Sequence, residues 1–531
     1  MLGLQKALNP KLILLALLLA SVFIAALPRL GYLFPLHGDE YDSIAAAQGT
    51  ISSGVLSGKD PYIPESLSAI LPEQPGLENG FTSLISFISI FSGIPAEQLI
   101  FFLPALLLFI LSLSAFVLFR KFFPEKNAAF SAAIFSLFLP SSVWLLGMQL
   151  MVPSSLGLAL FFPLLFFMEK SFSSKKYLSI FLILMLFSAA AYPPAFIFAA
   201  LSFFLFFVFT RSTLRKKLTA FFAGLLSIEI ATVLFSIYYS FSGGFGVEKL
   251  LASFPMIFIW GPAAVIENFL LSAPASFENF SLQPFNPALL LLSLAVVAIP
   301  FIFLLKKIFS EKTGNEKFFL PVFLSLAFFL FFPFALGFNL MVPFERALNF
   351  FLLFCLAFSG AGFCLLFKKI SADAKGAPEK FFPAAFFAAT IFLLFFLPFS
   401  FDSSFYKSID GQSLPLLEWI SSNTSKESVF VILPPALAKP VAIYTGRKAL
   451  CTSPTRFQCT PELSEAFVKL FFASCDSKKK LLEDYGANFL LQPKAMVLGG
   501  ETVSIPLQQC PFLVERFNSG NALIYEFTPS S

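Results

Sequence analysis

Residues 37–42 read HGDEYD and put three carboxylates, Asp39, Glu40 and Asp42, into four positions beside the chain's only histidine, His37. Carboxylates grouped with an imidazole are the side chains that take up and deliver protons or orient an acceptor, and Tyr41 adds a hydroxyl among them. They follow closely on KLILLALLLASVFIAAL, a run without a charge between Lys11 and Arg29. Ionisable groups at membrane depth are costly, so a cluster of them is a candidate functional site. A structural account competes: Asp39 caps a helix, Asp42 at its third position favours the dipole, and Ala45–Ala47 propagate it. Capping accounts for one or two acids, yet the same loop also carries Glu65, Glu73 and Glu78. A second constellation lies in MVPFERALNF, where Glu345 and Arg346 stand at the mouth of a late apolar run. A guanidinium binds phosphate through two parallel hydrogen bonds; the competing role for Arg346 is that of a snorkelling interface anchor.

The elements that must position these groups are membrane helices. The chain has 531 residues, 57% hydrophobic and 13% charged, with 78 phenylalanines, against about 25% charged for a soluble domain. A span needs roughly 20 mostly apolar residues. Such stretches predict eleven spans, at about 11–30, 97–119, 127–146, 152–168, 177–192, 194–210, 218–241, 287–305, 318–338, 346–367 and 381–400. With the N-terminus inside, alternate segments hold twenty Lys and Arg inside and four outside before residue 401, as the positive-inside rule requires. The first span has a poor cleavage site at AALPRLG and is expected to be retained. An odd number of spans puts the acidic loop, about 31–96, a second loop, about 242–286, and the whole tail on the exterior face. The net charge of +5 is too small to point to nucleic acid.

Two domains follow: a membrane domain over 1–400 and an exterior domain over 401–531. In the tail, LPLLEWISSN and SKKKLLEDYG read as helices, the second ending at Gly486. SVFVILPP, AIYTGR, ANFLLQP, FLVERFNSG and NALIYEF read as strands, giving a small α/β domain. Cys355 and Cys364 fall in a predicted span as small apolar packers. The other four, Cys451, Cys459, Cys475 and Cys510, lie in the exterior tail, where an even number predicts two disulfides with open connectivity. Zinc is the competing use, without a C-x-x-C spacing to support it.

GDEY just outside the first span resembles the signature of the GT-C superfamily, multi-spanning glycosyltransferases that use polyprenyl-phosphate sugars. EQPGLENGFTSLIS is similar to that family's stretch leading into its second span, MVPFERALNF to its Pro-x-Arg segment, and the tail to domains that end archaeal and bacterial members. The resemblance implies a polytopic α-helical membrane protein of about eleven spans with a small C-terminal α/β exterior domain. It implies a sugar moved from a polyprenyl-phosphate donor to a protein, lipid or glycan acceptor at the exterior face of the cell membrane. Asp39 would then be the base or orienting carboxylate. Glu40 would position the acceptor or, with Asp39, a divalent metal (Mg or Mn). Arg346 would hold the donor phosphate, with His37, Tyr41, Asp42 and Glu345 as further substrate-binding residues. Two departures weaken the likeness to oligosaccharyltransferase catalytic subunits: the tail lacks Trp-Trp-Asp-Tyr-Gly, and SSVWLLGMQLMVPSS has no acid after the third span. Monosaccharide transferases of the protein mannosyltransferase or aminoarabinose type are closer in kind. The competing class is a transporter or lipid flippase, for which intramembrane charges would mark the pathway; Glu229 is the main such charge, and no inverted repeat is evident.

Overall fold

The computed structural model describes residues 9–54, 60–64, 79–139, 147–209, 287–310, 318–336, 342, 344–373, 382–396, 409, 413–433, 437–450, 474–498, 501–504, 510–519 and 522–528. They divide into two compact units. One comprises Met1–Tyr32, Leu77–Phe81 and Gln98–Ser403; the other comprises Leu33–Gly76, Thr82–Glu97 and Ser404–Ser531.

The first unit is helical. Its helices are α1 (Pro10–Ala26), α4 (Leu103–Phe122), α5 (Lys126–Ser136), α6 (Pro153–Ser171), α7 (Lys175–Ala191), α8 (Pro193–Phe209), α9 (Pro287–Ser310), α10 (Phe319–Leu336), α11 (Phe344–Asp373) and α12 (Phe382–Phe396); α2 and α3 belong mostly to the other unit. Nine of the eleven expected spans overlap these helices; the one at 127–146 is helical over Lys126–Ser136, with 140–146 outside the described residues, and the one at 218–241 lies outside them altogether. So does the loop at 242–286. Among the described residues, four helical segments, Pro10–Arg29, Leu103–Phe122, Pro153–Ser171 and Arg346–Ala372, are long and apolar enough to cross a membrane. This is a membrane protein, and α1 shows why: Leu12, Leu15, Leu19 and Phe23 are half exposed or more, a cost in water and none in lipid.

Contact inside this unit depends on small residues. A Cβ on Gly360 of α11 would lie 2.3 Å from the Ser131 carbonyl oxygen of α5. One on Gly362 would lie 2.2 Å from the Pro300 carbonyl oxygen of α9. Lipid gives helices no hydrophobic reason to associate, so close backbone approach and interhelical hydrogen bonds take that role. Ser359 supplies one such bond, its Oγ donating to Val297 O at 2.7 Å.

The second unit contains α2 (Gly38–Ser53), most of α3 (Asn79–Ser92), α13 (Leu414–Asn423), α14 (Ala438–Thr445), α15 (Cys475–Asp484) and strands β1 (Val429–Ile432), β2 (Lys448–Leu450), β3 (Phe489–Pro493), β6 (Leu513–Asn518) and β7 (Ala522–Phe527). These strands form one sheet in the order β2-β1-β3-β7-β6, while β4 (Ala495–Leu498) and β5 (Glu501–Ser504) form a separate antiparallel ribbon. The pairs β1–β2 and β1–β3 are parallel; β3–β7 and β6–β7 are antiparallel, with a register shift between Glu515 and Phe517. β1 is buried along its whole length, as an interior parallel strand should be.

Residues 442–447 differ from the expected strand. Ala438–Thr445 is a helix ended by Gly446 at φ +66°. The β-branched residues of VAIYT satisfy either pattern, and the left-handed glycine after Thr445 is a helix stop. Gly486, at φ +61°, follows the helix that SKKKLLEDYG predicted. Cys475 and Cys510 form a disulfide, one of the two expected; Cys451 and Cys459 lie outside the described residues.

Candidate functional site

The acidic motif opens α2. The cap is His37 and not Asp39: His37 is extended (φ −136°, ψ 151°), and its Nδ1 accepts the Asp39 N–H at 3.1 Å. Glu40, three residues after the cap, reaches back and accepts the Leu36 N–H through Oε2 at 2.6 Å. That is the reciprocal logic of a capping box, shifted one residue outward. The helix then runs through Ala45–Ala47 and stops at left-handed Gly54. A histidine is a rare cap, so sequence reasoning assigned the position to the neighbouring aspartate.

The three carboxylates have different surroundings. Glu40 is fully buried with its oxygen on Leu36. Asp42 is buried and its Oδ1 lies 2.7 Å from Lys439 Nζ. Asp39 keeps a quarter of its side chain exposed, with His37 Nδ1 at 3.9 Å. Tyr41 is fully buried, its ring 6.4 Å from that of Tyr444 in an edge contact, and Phe34 packs edge-on to the same ring at 4.9 Å. Of HGDEYD, His37 and Asp39 are therefore the part that meets the surface.

Lys439 and Asp60 escaped the sequence reading. Lys439 Nζ lies 2.7 Å from Asp60 Oδ2 as well as from Asp42, and the side chains are 3%, 2% and 5% exposed. Burial alone would push the Lys439 ammonium down; the two carboxylates outweigh that and hold it above its ordinary value. Asp60 Oδ1 accepts the Tyr62 N–H at 2.9 Å. The Tyr62 hydroxyl donates to Gln48 Oε1 at 2.7 Å, and Gln48 Nε2 donates to Glu97 at 3.0 Å. Burial, with Asp60 and Glu97 nearby, raises the Tyr62 phenol well above its usual range. Tyr62 O accepts the Ala449 N–H at 2.9 Å, so the segment around residue 62 borders β2. The available signal was one lysine in the apolar run ALAKPVAIY, where a charge needs a partner.

In the helical unit, Arg346 lies in the first turn of α11, half-buried, with its guanidinium 5.9 Å from the Tyr192 ring centre. Tyr192 is pinned: its ring stacks at 6.3 Å on Phe350 and fills the space a Cβ on Gly157 would take. The Glu345 side chain lies outside the described residues. Arg29, at the end of the first span and buried, donates to Gln149 O at 3.4 Å.

The expected metal pair was Asp39 and Glu40. Glu40 is turned to the Leu36 amide and Asp42 to Lys439, and no group of three or more His, Cys, Asp or Glu gathers among the described residues. A partly exposed carboxylate with one imidazole is a poor donor set for Mg or Mn, which take several hard oxygens. The residues present do not fit such an ion at Asp39.

Helices of membrane length, an acidic helix start beyond the first of them and a small α/β unit define a polytopic helical membrane protein with an appended mixed sheet. No family model matches the chain, and no curated protein does. Solved structures do match. The ArnT protein of Cupriavidus metallidurans bound to undecaprenyl phosphate superposes with a TM-score of 0.61 at 11% identity, over 97% of both chains. The Archaeoglobus fulgidus oligosaccharyltransferase in its apo form gives 0.57 at 15% identity, over 90% of this chain and 69% of that one. The mycobacterial arabinofuranosyltransferase AftD gives 0.54 at 11% identity, over 96% of this chain and 41% of that one. The chain has the fold of the GT-C glycosyltransferases.

Proposed function

We propose that this protein is a glycosyltransferase that moves a single sugar from a polyprenyl-phosphate donor to a protein, lipid or glycan acceptor on the exterior face of the membrane. The N-terminus is then cytoplasmic and the α/β domain exterior, as the twenty-to-four basic bias requires. The observation that carries the reading is the sorting of the acids: Glu40 and Asp42 are held inside, and Asp39 is presented beside His37. The fold supports the donor class, since the ArnT neighbour binds undecaprenyl phosphate.

In this reading Asp39 takes the proton of the acceptor hydroxyl as the acceptor oxygen bonds to the anomeric carbon. The bond from that carbon to the phosphate oxygen breaks, and its electrons leave with the polyprenyl phosphate. A positioned base contributes about 10²–10⁴ in rate. Arg346 holds the phosphate in its charged ground state and as it departs, the kind of electrostatic contribution a fixed cation makes to a leaving anion. The Tyr192 ring beside it limits the directions that the guanidinium takes. Glu40 keeps the start of α2 closed, and Tyr41 and Asp42 anchor its buried face.

The test is purified protein in lipid nanodiscs with a panel of polyprenyl-phosphate sugars and mixed acceptors. Release of polyprenyl phosphate together with glycosylated product supports the reading. Release of neither from any donor, by protein that is folded and monodisperse, overturns it.

A further inference from the structure

Lys439 joins three separated stretches of the second unit by charge. Its ammonium lies 2.7 Å from Asp42 on α2 and 2.7 Å from Asp60 in the segment beside β2, and Lys439 itself stands in the first turn of α14. All three side chains are nearly inaccessible. Five residues further along the same helix, Tyr444 packs against Phe34 and Tyr41. One short tail helix therefore holds the acidic helix at two points, an ion pair with Asp42 and ring contacts on Tyr41 and Phe34. Asp39 stands three positions before Asp42 on that helix; its backbone N–H donates to His37 Nδ1 at 3.1 Å, its carbonyl accepts from Ser43 Oγ at 2.8 Å, and its carboxylate lies 3.9 Å from His37 Nδ1.

We propose that Lys439 is a positioning residue for Asp39: by fixing Asp42 and Asp60 it sets where the start of α2 points, so the α/β tail is a working part of the acidic centre. The inference rests on the transferase reading for its catalytic consequence, while the positional claim stands on the geometry alone. Lys439 touches neither donor nor acceptor; its effect passes through Asp42 and α2. Without the ammonium, two carboxylates face each other in a dry site. Breaking one partner out of a buried ion cluster is far more damaging than replacing the whole cluster with neutral groups. A displacement of about 1 Å at a reacting group costs on the order of 10²-fold in rate.

The experiment compares the wild type, Lys439→Met and the triple variant Lys439→Met/Asp42→Asn/Asp60→Asn in nanodiscs. Hydrogen exchange is read over residues 38–53 and over β3 and β7, with transfer kinetics on the donor that serves the wild type. Lys439→Met is expected to speed exchange in 38–53 while β3 and β7 stay protected. Turnover should drop about a hundredfold with the donor KM changed by less than about threefold. The triple variant is expected to restore protection over 38–53 and recover turnover to within about tenfold of wild type, because neutral amides remove the unbalanced charge. A purely structural lysine gives a different pattern: exchange rises in β3 and β7 as well, neutralisation rescues nothing, and the proposal is overturned. Wild-type exchange and turnover in Lys439→Met overturn it equally. If the wild type turns over no donor, the transferase reading falls alone, and the exchange comparison still decides whether Lys439 positions α2.

Discussion

The two units hold themselves together by different means. In the helical unit cohesion is spread over many weak contacts: Phe354 and Phe358 stack at 4.2 Å, Phe119 meets Phe358 at 5.4 Å, and glycines let α11 approach α5 and α9. The second unit has its own apolar core, with Val431, Leu450, Leu482 and Leu490 among its members, and adds concentrated links: Lys439 between two aspartates, Glu40 on an amide, and the Cys475–Cys510 disulfide. Distributed packing tolerates the loss of one ring but not an added atom at a crossing point. Concentrated links tolerate added bulk nearby but not the loss of one member. Lipid gives the helices no hydrophobic reason to associate, so close packing carries their contact, whereas water drives apolar burial in the second unit and leaves strong only those polar links that are kept dry, as around Lys439.

The largest expected effect contrasts two acids one residue apart. Asp39→Asn preserves shape and removes the basicity, so transfer should fall about 10²–10⁴-fold with donor binding and exchange protection of α2 intact. Near-normal turnover returns Asp39 to a structural role. On the cohesion side, Cys475→Ser/Cys510→Ser removes a link across 35 residues. The second unit should lose about 3–4 kcal/mol, read by exchange in β3 and β7, while the helical unit keeps its protection. Loss spread equally over both units would break the comparison.

The converse change is Gly360→Leu. Its Cβ would meet the Ser131 carbonyl, so α11 and α5 must separate. Overpacking costs about 1–3 kcal/mol, with backbone collisions at the upper end. Thermal inactivation should come earlier, and exchange should rise over 126–136 and 344–373 without change in β3. Wild-type protection there would mean that helix contacts are looser than the glycine approach indicates.

What could be read in the sequence follows the same division. Hydropathy is a local property, so the helices over 10–26, 103–122 and 153–171 were visible as apolar runs, and the glycine stop at Gly486 marked the end of a tail helix. AIYTGR was misread because Ile443, Tyr444 and Thr445 satisfy a strand's preferences as well as a helix's. The acidic motif was legible as a cluster of types, but its sorting was not. Glu40 turning to Leu36 is a local contact, but one residue outside the usual capping-box register; Asp42 meeting Lys439, nearly four hundred positions away, is a long-range contact that no window reveals. Lys439 announced itself only as a charge in an apolar run.

Arg346 carries the next smaller effect. If it holds the donor phosphate, Arg346→Lys should weaken donor binding about tenfold to a hundredfold. An ammonium lacks the planar fork, and a charge-assisted contact is worth about 1.5–3 kcal/mol. A snorkelling anchor instead tolerates lysine, and unchanged affinity for polyprenyl phosphate in that variant removes Arg346 from the site.

The smallest expected effect belongs to Glu40, and its smallness is informative. Glu40→Gln retains an oxygen that accepts the Leu36 N–H at the start of α2, and glutamine serves a capping box as glutamate does. What is lost is charge assistance, roughly the difference between a neutral hydrogen bond and an ionic one, about 1 kcal/mol or less. Turnover should therefore stay within about fivefold of wild type, and the exchange of 38–53 should rise only slightly. The comparison with Asp39→Asn is direct, because both changes swap a carboxylate for its amide on the same turn of the same helix. A large gap between them assigns the chemistry to the partly exposed acid and the architecture to the buried one. Equal losses, with α2 still protected from exchange, would place Glu40 on the reacting atoms beside Asp39 and require its carboxylate to leave Leu36 when substrate binds.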